Sequence, residues 1–116
     1  MSSIEFPSFT MYVSGVYEWS GQCVKDNATH VLSQYVATTS TNTPALCMKL
    51  CHDKGYLYAG VEAGSMCNCG NTPPPESILV NEDQCNLTCS GDATQTCGGD
   101  SMMDVYNTGN VIITSP

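Results

Sequence analysis

The chemically versatile side chains of this 116-residue chain are eight cysteines, two histidines and eleven acids, and their spacing limits what they can do. Cys47 and Cys51 form a C-x3-C pair, and Cys67 and Cys69 form a C-x-C pair. The first spacing is one helical turn, which sets both thiols on the same face of a helix. The second sets both on the same face of a β-strand, where side chains alternate with period two. Two parallel rungs from helix to strand then close without distorting either element. Zinc ligation is the rival use, but zinc knuckles favour C-x2-C or C-x4-C, and four further cysteines would stay unexplained. An even cysteine count fits disulfides in an oxidising compartment, so no metal and no cofactor is assigned. A calcium site from Asp92, Asp100 and Asp104 lacks the dense oxygen-ligand spacing such sites need.

Catalysis finds little to work with. With every cysteine bridged, no thiol remains as a nucleophile. The acids are dispersed, and Glu82-Asp83 are neighbours in a loop, not carboxylates facing across a cleft. His30 falls in a polar loop and His52 near a helix end, and both read as solvated. Gly98-Gly99 follows Cys97 and reads as turn chemistry. The chain is therefore read as not an enzyme. Eleven acids against three lysines give a net charge of −8, which repels nucleic acid and anionic membranes but not uncharged polysaccharides. No apolar run reaches the length of a membrane span, so no direct membrane insertion is expected. No leader is visible, and a secreted origin implies that one was removed. The tripeptides Asn27-Ala28-Thr29 and Asn86-Leu87-Thr88 are N-glycosylation sequons, as expected of a secreted chain, with Asn27 and Asn86 as acceptors.

These residues need elements to hold them. Thr43 is a suitable N-cap, Pro44 suits the first helical position, and Gly55 is a natural stop. Between them Leu46, Cys47, Leu50 and Cys51 make one apolar stripe. Tyr56 to Val61 reads as a strand, Ala63-Gly64-Ser65 as a turn and Met66 to Gly70 as a second strand. Val16 to Val24 reads as a first strand carrying Trp19. Ser101 to Tyr106 reads as a last strand that pairs with it. The stretch 25–43 reads as a polar connection anchored by Val31, Leu32, Tyr35 and Val36, ending in a hydroxyl-rich loop. Pro73-Pro74-Pro75 ends regular structure, and 83–99 reads as irregular and held by its bridges. There is no internal repeat. Residues 1–14, with Ile4, Phe6, Phe9, Met11 and Tyr12, read as a tail or edge segment. Residues 15–107 read as one small domain and 108–116 as a linker.

The cysteine order is C-x23-C-x3-C-x15-C-x-C-x15-C-x3-C-x7-C. With GYLYAGVEAGSMCNCGN and DQCNLTCSGDATQTCGGDSMMDVY, it closely resembles the WSC domain of fungal cell-wall sensors and secreted carbohydrate-active proteins, which also occurs in some animal receptors. The resemblance covers roughly Trp19 to Tyr106. It implies the pairing Cys47–Cys67, Cys51–Cys69, Cys23–Cys85 and Cys89–Cys97. It also implies an α+β fold, one helix on a twisted antiparallel sheet, similar to the PAN/apple arrangement. The implied role is a non-catalytic extracellular or cell-wall carbohydrate-binding module, for β-1,3-glucan or a related polysaccharide, monomeric or in tandem copies. Two alternatives remain: an interaction or structural ectodomain of a stress sensor or receptor, and an appended domain of a secreted carbohydrate-active enzyme.

Sugars bind through pyranose C–H faces on aromatic rings, with amides and carboxylates taking the hydroxyls. If Cys67 and Cys69 face the helix, Met66 and Asn68 face outward. Apolarity then places Leu57, Ala59 and Val61 inside and exposes Tyr56, Tyr58 and Glu62. Where family members read Y-G-x-E-C-Y-C-G, this chain reads Ala63 to Gly70 with two aromatics and one acid missing. That departure opens a stacking role for Trp19 and Tyr35. The expected ligand-binding set is thus Tyr56, Tyr58, Glu62, Asn68, Tyr35 and Trp19.

Overall fold

The helix forms where its start and stop signals stand. A computed structural model describes residues 17–111; the segment 1–14, the first residue of the expected first strand and the end of the linker lie outside them. Helix α1 spans Pro44–Asp53. Thr43 before it is extended, and its Oγ1 accepts the Leu46 N–H at 3.1 Å, satisfying one of the free amides of the first turn. Gly55 follows at φ 88°, the left-handed conformation that glycine adopts without a Cβ penalty. The helix turns Pro44, Cys47 and Cys51 inward. Leu46, expected in the inward stripe, is 52% exposed. The two bridged cysteines fix the rotation of the helix, and Leu46 lies about 100° round from Cys47.

Among the described residues five strands form one antiparallel sheet: β1 Ser20–Lys25, β2 Tyr35–Thr38, β3 Tyr58–Glu62, β4 Met66–Gly70 and β7 Met102–Asn107. Their spatial order is β1-β7-β3-β4-β2, so the last strand sits between the first and the third. A separate hairpin joins β5 Thr88–Cys89 to β6 Asp92–Thr96, in a segment expected to be irregular. Strand β2 also departs from expectation. Its four residues read as part of a polar connection, yet they pair with β4 from Tyr35↔Cys69 to Thr38↔Met66. The expected pairing of last strand with first is present, from Ser20↔Tyr106 to Lys25↔Met102.

All eight cysteines are bridged, as Cys23–Cys85, Cys47–Cys67, Cys51–Cys69 and Cys89–Cys97. The two helix-to-strand rungs predicted from the spacing are the middle two. Around them Ala59, Val61, Cys89 and Cys97 complete a core between α1 and the sheet. This is an α+β fold.

The other face of the sheet is covered as well. Trp19, Val24, Leu32, Tyr58, Met103 and Val105 form a second core there, beneath the segment that follows β1. Gly60 and Gly70 make this possible. They leave a trough on that face into which Met103 and Leu32 settle; a Cβ on Gly60 would collide with Met103 Sδ, and one on Gly70 would lie 3.2 Å from Leu32 Cδ2. Within β3 and β4 the residues alternating with the cysteines do point away from the helix, as predicted, but into protein. Ahead of β3 the expectation is reversed, with Tyr56 against the helix-side core and Leu57 against the far one. Tyr58, Glu62 and Asn68 are 8%, 5% and 0% exposed, which corrects the expectation that they lie on an outward face.

Candidate functional site

Tyr17 and Trp19 stand two residues apart just ahead of β1. In an extended chain that spacing carries both rings to one side. Tyr17 sets its ring edge-on to Trp19, with centroids 4.6 Å apart and planes at 61°. The backbone of Trp19 is pinned to the end of β7, where its N–H donates to Asn107 Oδ1 and its carbonyl accepts the Asn107 N–H at 2.7 Å. Together with Tyr58, Pro73, Pro74, Pro75 and Glu76, the two rings line a cleft of about 350 Å³. Trp19 and Tyr58 are nearly buried and form its floor. Tyr17 is half-buried, and Pro73, Pro75 and Glu76 are exposed along the rim. Burial, helped by the charge of Glu18, raises the Tyr58 phenol above its ordinary value, so it remains a neutral hydroxyl, donor and acceptor at once. The floor and wall are apolar, and the rim offers one carboxylate.

The six residues singled out as ligand-binding do not form one site. Trp19 and Tyr58 meet in this cleft. Tyr35 and Tyr56 lie on the helix side of the sheet, both half-buried against the first core, with Lys54 Nζ 4.4 Å from the Tyr35 ring centroid. Asn68 is enclosed, and its side-chain amide donates to the Gly60 carbonyl at 3.3 Å. Glu62 is enclosed too, next to Asp26 and His30.

His30 departs from its solvated reading. Its Nδ1 lies 2.6 Å from Asp26 Oδ2 and 3.9 Å from Glu62 Oε1. Burial, and then the adjoining Asp26, push Glu62 up to about 9. Burial acts on Asp26 in the same sense, but hydrogen bonds from Glu62, His30 and the Val31 amide outweigh it and hold Asp26 below its ordinary value. His52 is exposed, 3.3 Å from Asp53 Oδ1. Asp92, Asp100 and Asp104 do not converge. Asp92 is held down to about 2 by Thr94 and Gln95, which donate to its carboxylate, whereas Asp104 is buried against Gly98. The sequon asparagines Asn27 and Asn86 are both exposed.

Sequence reasoning missed Tyr17 and the proline wall. The signal for Tyr17 was its alternation with Trp19; nothing local reveals that Pro73 to Pro75 return to the same place.

The WSC domain family matches this chain over residues 21–99, so Tyr17 and Trp19 lie just before the matched stretch. The chain is 40% identical over 89 residues to xylosyltransferase oxt of Drosophila melanogaster, covering 75% of this chain and 10% of that protein. It is 34% identical over 109 residues to a WSC domain-containing protein of Arthroderma benhamiae, covering 92% and 12%. To human Kremen protein 2 it is 37% identical over 87 residues, covering 74% and 19%. The chain thus spans at most a fifth of the length of these relatives. What they share with it is one module within otherwise different proteins. With more than half of its length matched by the family, the chain belongs to the WSC domain family.

Proposed function

We propose that this domain is a non-catalytic extracellular module that binds an uncharged cell-wall polysaccharide of the β-1,3-glucan class in the cleft of Tyr17, Trp19 and Tyr58. One observation carries the reading: the half-exposed Tyr17 ring is propped on a buried tryptophan at the mouth of an apolar, proline-walled cleft. A pyranose ring lays its C–H face on such a side chain, and a ring already held in place loses little freedom on binding. Glu76 at the rim and the Tyr58 hydroxyl supply partners for sugar hydroxyls. The net charge of −8 leaves a neutral polymer unopposed. A cleft of this size takes one or two sugar units, so affinity per site is low and tandem copies gain by avidity.

Pull-down on insoluble β-1,3-glucan tests the reading. Wild type is retained, and Tyr17→Ala lowers retention by roughly tenfold with an unchanged thermal melt. Tyr35→Ala and Tyr56→Ala, across the sheet, leave retention unchanged. Full retention of Tyr17→Ala would place the site elsewhere. Failure of the wild type on glucan, chitin, xylan and cellulose alike would point to a protein partner instead.

A further inference from the structure

Away from the cleft, on the face of the sheet opposite α1, three side chains converge that carbohydrate binding does not use. Asp26 follows β1, His30 is four residues later in the same tight loop, and Glu62 ends β3. The loop is shaped to bring the first two together. His30 takes a left-handed backbone, φ 61°, which is uncommon for a residue with a side chain. Asp26 is fixed in orientation because its Oδ1 accepts the Val31 N–H at 2.8 Å. One nitrogen and two carboxylate oxygens, one from each residue, lie within 4.8 Å of one another.

We propose that Asp26, His30 and Glu62 form a divalent-metal site suited to Zn²⁺. The observation that points to a ligand is Glu62 Oε1. Its side chain is 7% exposed and this oxygen has no hydrogen-bond partner, yet it lies 3.9 Å from His30 Nδ1. A buried carboxyl oxygen without a partner is costly, and here the buried Asp26 carboxylate stands beside it. A cation between them offsets both costs.

The donor set selects the ion. One imidazole nitrogen with two carboxylate oxygens suits a borderline ion such as Zn²⁺, whereas Ca²⁺ requires six to eight oxygens. Tetrahedral zinc, with bonds of about 2.0–2.1 Å, holds its ligand atoms roughly 3.3 Å apart. The His30 separations of 2.6 and 3.9 Å bracket that value, and the two carboxyl oxygens lie within 4.8 Å of each other, so shifts on the order of an ångström admit the ion. The His30 side chain is 32% exposed, which gives the ion a route in and leaves the fourth position to water. The Val31 amide on Asp26 Oδ1 is the outer contact that keeps this carboxylate aimed inward.

Calorimetric titration with Zn²⁺, and Co²⁺ as an absorbing substitute, tests the site on the intact chain. One equivalent is expected to bind and to raise the melting temperature, and Co²⁺ is expected to show the intense visible bands of a tetrahedral centre. Glu62→Gln and His30→Asn are expected to weaken binding at least about tenfold. The asparagine tolerates the left-handed backbone, so the second variant keeps the test valid if the first folds poorly. His52→Ala is expected to bind as wild type does. The proposal is overturned by absence of saturable Zn²⁺ binding, by equal affinity in His30→Asn, or by loss of binding in His52→Ala, which would place the ion at the exposed His52–Asp53 pair.

Discussion

Asp104 lies on β7 against the Cys23–Cys85 bridge, 4% exposed. The Gly98 N–H donates to its Oδ2 at 3.1 Å, and its Oδ1 has no partner. Burial, with a smaller push from Glu82, raises this carboxyl to about 7. A carboxyl raised on folding favours the fold fully below its unfolded value, and that contribution is lost as pH climbs through the folded value. The domain should therefore lose stability between about pH 4 and pH 7 on account of this group. Asp104→Asn keeps an acceptor for Gly98 and cannot ionise. It is expected to flatten that decline and to stabilise the domain at pH 8 by on the order of 2 kcal/mol, read from urea melts across pH; a slope as steep as that of wild type would refute this. Individual residues were the least legible level of this chain. Period two correctly separated Tyr58, Glu62 and Asn68 from the cysteines, but whether the far face met water depended on Leu32 and Met103 filling a trough over Gly60 and Gly70. That is a long-range fact with no local signature.

Elements with covalent or stereochemical markers were legible, and those resting on pairing alone were not. α1 carries Thr43, Pro44 and Gly55 at its ends and the C-x3-C spacing along its face, all of which are local signals. The β3–β4 hairpin carries the C-x-C alternation and a Gly-containing turn. Strand β2, by contrast, is only Tyr-Val-Ala-Thr and exists because β4 is brought alongside, and the polar β5–β6 hairpin is held by Cys89–Cys97 in a stretch whose own pattern marks no strand. The cap is a testable part of the helix. Thr43→Ala removes the acceptor of the Leu46 N–H and is expected to cost about 1 kcal/mol in chemical denaturation. A cost near zero would mean that the rungs Cys47–Cys67 and Cys51–Cys69 alone hold the first turn.

At the scale of the whole molecule the two cores are joined through one thin sheet, and the bridges differ in what they enclose. Cys23–Cys85 closes a loop with a sequence separation of 62, against 20, 18 and 8 for the other three. Its removal as Cys23→Ala with Cys85→Ala is expected to cost the most, about 4 kcal/mol in the loop-entropy description. Cys89→Ala with Cys97→Ala is expected to cost less, and the reverse ranking in melts of the two variants would contradict this. The strand order β1-β7-β3-β4-β2 also has a consequence in time. On the ribosome β1 is made before the other described strands, but among the described residues its one neighbour in the sheet is β7, the last of them to emerge. Until then β1 presents an open edge, a surface prone to pairing with other chains, and Cys23 must wait for Cys85 to be made. The hairpin, helix and their two rungs are local and assemble early. The closing event is the insertion of β7 between β3 and β1, so a nascent chain released just short of Met102 would hold its helix stapled and its sheet split in two.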